Sequence, residues 1–103
     1  RLVRALAAEH GGAGIRVNAV RTGALVPGEE EWPFDRAAPR KMLEEEYRRT
    51  TLLRTVVHPE DVAECIFFLA SDRSAKMTGC VLTVDAGLRE ASEQRTSTKN
   101  SGG

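Results

Sequence analysis

Two short apolar segments rich in β-branched residues constrain the possible folds of this chain most strongly. The first covers residues 15–20 and is followed by Gly23, and the second covers residues 80–84 and follows Gly79. Runs of this length and composition next to glycine are typical of β-strands buried on both faces. Because the sequence between them has helical patterning, we expect the two strands to pair in parallel through a right-handed helical crossover.

A first helix is predicted before these strands, and it should end at His10. Gly11 and Gly12 follow directly, and glycine readily adopts the left-handed conformation that ends helices. His10 is expected to interact with the negative end of the helix dipole. No capping residue precedes the apolar positions of this helix, so we expect the helix to start upstream of Arg1.

Two further helices are predicted to begin at prolines. Pro39 and Pro59 have the fixed φ that suits the first helical position. After Pro59, the side chains of Glu60 and Asp61 complement the positive end of the helix. The apolar residues of this third helix cover enough of its circumference to require burial. They are Val62, Ala63, Ile66, Phe67, Leu69 and Ala70.

The region between the first strand and the third helix, residues 21–58, is expected to form a loop and a lid. Its first part, residues 21–39, is rich in proline and glycine. Loops longer than about 12–15 residues are commonly lids over binding sites, and a linker or disorder is the competing interpretation. Residues 90–103 are polar and are expected to form a disordered tail.

Together these elements predict an α/β fold. The two predicted strands must be covered by about three helices, whereas a parallel sheet buried on both faces needs further strands. We therefore expect residues 1–89 to be the C-terminal fragment of a doubly wound parallel-sheet (Rossmann-type) domain.

Composition argues against several classes of function. The 15 basic and 15 acidic residues cancel, which does not favour nucleic acid as a partner. No apolar run approaches the roughly 20 residues that span a bilayer, so no membrane partner is expected. Cys65 and Cys80 lack the paired spacing of metal ligands, and the adjacent glutamates at 29–31 do not converge on one ion, so no metal site is expected. Reduced, buried thiols favour a cytoplasmic location.

Several segments resemble the short-chain dehydrogenase/reductase family in their order and spacing. They are residues 15–20, Gly23, the Pro-Glu-Asp-Val sequence at 59–62, Thr78, Gly79, Val84, Asp85 and Gly87. This resemblance runs from Arg1 to about Leu88 and implies a Rossmann-type fold, NAD or NADP as cofactor, a small alcohol or carbonyl substrate and a homo-oligomer. A narrower resemblance points to the dehydrogenase half of bifunctional sugar-phosphate aldolase/short-chain dehydrogenase proteins. It rests on the loop containing Trp32 and on Arg73, Ser74, Lys76, Thr78, Gly79 and Cys80.

The catalytic residues that the resemblance implies are not found in this chain. The family uses a Tyr followed four residues later by a Lys on the same helix face, usually with a Ser and an Asn. Tyr47 is the only tyrosine, and Thr51 stands four positions after it. The glycine-rich turn that holds the pyrophosphate of the dinucleotide is also absent. We therefore expect no catalytic residue here, the family's Tyr and Lys upstream of Arg1, and no activity for this chain alone.

The resemblance implies cofactor-binding roles for Thr22, Gly23 and Leu25. Thr22 and Gly23 occupy the positions of a Pro and a Gly whose backbone lies beside the nicotinamide, and Leu25 falls on an apolar position that contacts its ring. For Gly23 a turn residue needing positive φ is an equal alternative. Pro27 stands where many members carry a hydroxyl residue, and together with Thr22 this replacement argues against ordinary carboxamide recognition.

The resemblance thus implies a fragment of an oxidoreductase that transfers hydride between NAD or NADP and an alcohol or carbonyl, with a sugar or hydroxyaldehyde as candidate substrates. The alternative function is a non-catalytic oligomerisation or interaction fragment of a Rossmann-like protein. Arg16, Asn18 and Asp85 are typical of the family and are expected to be structural, pairing with neighbouring backbone or carboxylates.

Overall fold

A computed structural model describes residues 1–28 and 37–93. The helices and strands, in chain order, are α1 (Leu2–His10), β1 (Ala19–Thr22), α2 (Ala37–Thr50), α3 (Pro59–Ala70), β2 (Val81–Val84) and a final helix, α4, over residues 88–93. Strands β1 and β2 pair in parallel. The α/β class and the two predicted strands are therefore confirmed.

The chain divides into two compact units, each described here by itself. The first unit comprises Arg1–Arg21 and Glu60–Val84, and the second comprises Thr22–Pro59 and Asp85–Gly103. No helix in the described part of the chain is long and apolar enough to cross a membrane.

Helix α1 ends at His10 as predicted, but by a different route. Gly11 remains in the right-handed helical region, with φ −60° and ψ −38°, and begins a 3-10 turn. Neither Gly11 nor Gly12 has positive φ, so the prediction that they end the helix in the left-handed conformation was wrong. Gly14, with φ 80°, takes that conformation instead. The left-handed residue comes three positions later than Gly11 because a 3-10 turn follows the helix. The tighter i→i+3 bonds of this turn satisfy the last carbonyls of the helix.

The first strand begins later than the pattern predicts, at Ala19 rather than at residue 15. The N–H of Val17 donates to the hydroxyl of Thr78 (3.0 Å), and the N–H of Gly79 donates to the carbonyl of Val17 (2.8 Å). A side chain therefore takes the place of a backbone acceptor beside residue 17. The regular ladder starts only where the N–H of Ala19 donates to the carbonyl of Cys80 (2.9 Å).

Arg16 closes the C-terminal end of α3 within the first unit. Its guanidinium donates to the carbonyls of Leu69 (3.1 Å), Ser71 (3.2 Å) and Ser74 (2.8 Å). These carbonyls lie where a helix leaves its last acceptors without internal partners, and a cation is favourable there. Asn18 acts similarly, since its amide oxygen accepts from the N–H of Cys80 (3.0 Å). The expected pairing of Arg16 and Asn18 with neighbouring backbone is confirmed.

Helix α3 starts at Pro59 with Glu60 and Asp61 in its first turn, as predicted. Its apolar circumference is only partly covered, however. Leu69 is the only residue of α3 that is buried, whereas Ile66 and Phe67 are 53% and 75% exposed. The prediction of burial all round was wrong for these residues, because the described chain provides no layer that packs on that face.

Helix α2 begins before its predicted start, and helix α4 was not predicted. Helix α2 begins at Ala37, so Pro39 is its third residue; a proline there loses no hydrogen bond because the first four N–H groups of a helix have no internal acceptor. Residues 90–93 belong to α4, and Ala91 is buried, whereas the sequence placed them in a tail. The N–H of Ala91 donates to the carbonyl of Gly87 (2.9 Å), which extends the turn after β2 into this helix. Residues 94–103 lie outside the described part of the chain.

Candidate functional site

Thr22, Gly23 and Leu25, which the family resemblance singled out, lie at the end of β1 and directly after it. Thr22 is the last residue of the strand and is exposed, while Gly23 and Leu25 are half-buried. In open parallel sheets, ligands bind in the crevice outside the carboxyl ends of the strands. The position of this segment is therefore suitable for a binding site.

Gly23 is required for a close contact and not for an unusual backbone angle. Its φ is not positive, so the turn interpretation that needs positive φ was wrong. A Cβ atom at this position would lie 3.2 Å from the Cβ of Asp85, closer than side chains normally pack. Gly23 follows β1 and Asp85 follows β2, so the parallel pairing of the two strands brings both residues to the same edge of the sheet.

Ala24 has the positive φ that was expected of its neighbour. It has φ 55° and is only 2% exposed. A left-handed conformation costs an L-residue roughly 1–2 kcal/mol, and such strain is commonly found at ligand-binding segments. Alanine is not a typical turn residue, so no signal in the sequence identifies Ala24.

Leu25 is held by a parallel bridge to Val57. The N–H of Val57 donates to the carbonyl of Ala24 (2.9 Å), and the N–H of Val26 donates to the carbonyl of Val57 (2.9 Å). All described peptide bonds are trans, so the N–H and C=O of each peptide group point in opposite directions. The N–H and C=O of Leu25 itself therefore point away from Val57.

These two groups of Leu25 form no hydrogen bond within residues 1–28 and 37–93. An adjacent donor and acceptor are complementary to a primary amide, which offers one C=O and one NH2 group. The backbone of Leu25 can therefore bind a carboxamide, such as that of nicotinamide, without any side-chain hydroxyl.

The segment opposite Leu25 is held by burial and by side-chain hydrogen bonds. Val57 and Val26 are 3% and 1% exposed. The hydroxyl of Thr51 donates to the carbonyl of Thr55 (2.9 Å) and accepts from its N–H (3.0 Å). This pair of bonds closes the turn between α2 and Val57, which fixes the bridge partner of Leu25.

Helix α2 is anchored to the same segment at its other end. The guanidinium of Arg40 donates to the carbonyl of Pro27 (2.9 Å), so the first turns of α2 lie beside the segment that carries Leu25. Tyr47 is half-buried, and its carbonyl accepts from the N–H of Thr51 (3.0 Å). Residues 29–36 of the predicted loop and lid region, which include Trp32, lie outside the described residues.

No metal centre is found among the residues that the structure describes. Within these ranges, no group of three or more His, Cys, Asp or Glu side chains is arranged to hold an ion. The glutamates at 29–31 lie in the part that is not described. Cys65 and Cys80 are free and half-buried.

Many known proteins have similar sequences or folds. The chain is 44% identical over 98 residues to an uncharacterized oxidoreductase, YuxG, of Bacillus subtilis (strain 168), covering 87% of this chain and 14% of that protein. It is 28% identical to 4-hydroxyisoleucine dehydrogenase complexed with NADH, with a TM-score of 0.66 over 86% of this chain and 34% of that one. It is 26% identical to a small-chain dehydrogenase in complex with NADPH, with a TM-score of 0.69 over 84% and 37% of the two chains.

The chain thus spans little more than a third of the length of these proteins at most. A family profile, described as enoyl-(acyl carrier protein) reductase, matches residues 1–89. The profile, the parallel strands and the segment after β1 agree with one another, and the chain belongs to the short-chain dehydrogenase/reductase family.

Proposed function

We propose that this chain forms the nicotinamide-side wall and lid of an NAD- or NADP-dependent oxidoreductase that interconverts an alcohol and a carbonyl compound. The observation that supports this most directly is the outward-facing donor and acceptor of Leu25, which have no partner in the described residues. Similar structures were solved with NADH and with NADPH. The complete reaction belongs to a longer protein, since the relatives are longer than this chain.

In this proposal the residues after β1 bind and orient the cofactor. The N–H and C=O of Leu25 hold the carboxamide, and its side chain lies against the ring. Gly23 lets the backbone pass close to Asp85, and Thr22 ends the strand beside the ring. Bound nicotinamide accepts or donates the hydride.

The chain by itself is proposed to be inactive. Proton transfer in this family needs a tyrosine paired with a lysine, and Tyr47 is followed four residues later by Thr51. The hydroxyl of Thr51 is occupied by Thr55. A purified chain that oxidised an alcohol or reduced a carbonyl with either cofactor would contradict this.

A sugar or hydroxyaldehyde is the proposed substrate class, within a protein that also carries a sugar-phosphate aldolase domain. The support comes from the lengths of the related proteins. The chain covers 14% of YuxG but 34% and 37% of the two dehydrogenase structures, so YuxG is more than twice as long and has room for another domain. Free thiols at Cys65 and Cys80 support a cytoplasmic location for the protein.

The test compares cofactor analogues on the full-length protein that contains this chain. In 3-acetylpyridine adenine dinucleotide a methyl group replaces the amide NH2, so the bond to the carbonyl of Leu25 is lost. Loss of one hydrogen bond weakens binding about three- to tenfold. Calorimetric titration should therefore rank the natural dinucleotide above the analogue. ADP-ribose, which lacks the ring, serves as the control for the rest of the site.

Two outcomes would count against the proposal. Equal affinity for the natural dinucleotide and the acetyl analogue would exclude recognition by Leu25. Failure of the full-length protein to bind either NADH or NADPH saturably would exclude the oxidoreductase function itself.

A second candidate function is a non-catalytic interaction fragment, including a role in homo-oligomer contacts. The exposure of Ile66 (53%) and Phe67 (75%) on α3 favours it, because adjacent exposed apolar side chains are typical of association surfaces. Sedimentation of the full-length protein, with and without Phe67→Glu, tests the contact. Association without any dinucleotide binding would favour this candidate over the oxidoreductase.

A further inference from the structure

The turn after β2 is stabilised by the side chain of Asp85. One carboxylate oxygen accepts from the N–H of Gly87 (2.9 Å), and the other accepts from the N–H of Arg89 (3.1 Å). These N–H groups lie at the start of α4, where a helix has donors without internal partners, and a carboxylate is favourable there. The expected pairing of Asp85 with neighbouring backbone is therefore confirmed, and its charge is committed to this turn.

The same turn contacts the segment that carries Leu25. The Cβ of Asp85 lies 3.2 Å from the position that a Cβ of Gly23 would occupy, and Leu88 Cδ2 lies 3.8 Å from it. At this point the backbone of Gly23 therefore faces the first side-chain carbon of Asp85 directly. The distance between the two segments is thus set by contact with Asp85.

The turn also contacts the chain that leaves α2. The N–H of Leu53 donates to the carbonyl of Ala86 (3.0 Å). Gly87, with φ 82°, lies so close to Leu52 that an added Cβ would be 2.7 Å from the Cβ of Leu52. Residues 85–88 therefore pack against both the segment after β1 and the segment that leads from α2 to Val57.

We infer that Asp85 is a positioning residue for nicotinamide recognition. It fixes the turn at 85–88, the turn supports Gly23 and residues 52–53, and these two segments together hold the bridge between Leu25 and Val57. Asp85 itself touches no cofactor in this arrangement. The inference rests on the proposed function, because its consequence is the placement of the donor and acceptor of Leu25.

The test uses the full-length protein with Asp85→Ala and, as a matched control on the same helix end, Glu90→Ala at an exposed position. Dissociation constants are measured by calorimetry for NADH or NADPH and for ADP-ribose. Loss of the two side-chain bonds should weaken binding of the nicotinamide-bearing ligand about fivefold and leave ADP-ribose within about twofold. Glu90→Ala should change neither dissociation constant. Asp85→Asn keeps one side-chain acceptor and should weaken binding of the nicotinamide-bearing ligand less than Asp85→Ala does.

A second variant approaches the same contact from the other side. Gly23→Ala adds a methyl group 3.2 Å from Asp85 Cβ and should cause the same selective loss, even where Asp85→Ala does not fold. Hydrogen exchange of the Val26 and Val57 amides, followed by mass spectrometry, should become faster in both variants.

Three results would overturn the inference. Equal weakening of the dinucleotide and of ADP-ribose would mean that Asp85 acts only through general stability. Unchanged binding and exchange in Asp85→Ala and Gly23→Ala would mean that the contact positions nothing. Wild-type protein that binds neither ligand would remove the proposed function, and the inference with it, a result distinct from the first two.

Discussion

The two compact units differ in whether polar groups of the backbone are hydrogen-bonded within the chain. In the first unit, Arg16 makes five hydrogen bonds that satisfy the carbonyls after α3 and the hydroxyl of Ser74. In the second unit, the N–H and C=O of Leu25 have no partner within the described residues. Polar residues that bind their own chain contribute to stability, whereas half-buried groups without partners are available to a ligand.

The largest expected effect concerns whether these units fold without neighbouring structure. We predict that the isolated chain shows no cooperative unfolding transition as a monomer. Ordering each backbone residue costs about 1–2 kcal/mol, and each well-buried aliphatic or aromatic side chain returns only roughly 1.5–3 kcal/mol. Ile66 and Phe67 are exposed and contribute little. Urea titration followed by circular dichroism, with sedimentation, checks this; a sharp transition at all protein concentrations would show that the chain suffices.

Removing the side chain of Arg16 should destabilise the first unit, because all of its hydrogen bonds lie within that unit. In the full-length protein, Arg16→Ala removes five hydrogen bonds to residues 69–77 and should lower the free energy of unfolding by about 3 kcal/mol. Arg21→Ala, at an exposed position of β1, should change it by less than about 0.5 kcal/mol. Urea unfolding measures both, and similar values for the two variants would refute the structural role of Arg16.

A pair of glycine substitutions sharpens the comparison between the units. Gly87→Ala places a Cβ 2.7 Å from Leu52 Cβ at φ 82° and should destabilise the full-length protein by about 2 kcal/mol. At Gly12 an added Cβ meets nothing within 4 Å, so Gly12→Ala should be neutral or slightly stabilising. Thermal unfolding of both variants is the measurement, and equal midpoints would contradict the packing described around Gly87.

The smallest expected effect lies at the turn that holds Val57. Thr51 is 4% exposed and its hydroxyl both donates to and accepts from Thr55, so Thr51→Val should cost about 1–2 kcal/mol. The neighbouring Thr50 donates to the carbonyl of Glu46 from an exposed face of α2, and Thr50→Val should stay within about 0.5 kcal/mol. Chemical unfolding measures the free energy of unfolding of both variants. Equal values would contradict the role of the Thr51 hydroxyl in this turn.

Sequence patterns alone determined the main elements of the fold. The β-branched runs identified both strands, and Pro59 with Glu60 and Asp61 marked the start of α3, because these are local preferences of backbone and charge. The resemblance singled out Thr22, Gly23 and Leu25. Their role in binding a cofactor remains a prediction.

Only the tertiary structure decided how that site is built. The left-handed conformation lies at Ala24 and not at Gly23, and Gly23 is small because Asp85 packs against it. Leu25 presents its donor and acceptor outward because Val57 bonds to the peptide groups on either side of it. Each of these features depends on residues distant in sequence that the parallel strands and the turn after α2 bring together, so no local pattern contains them.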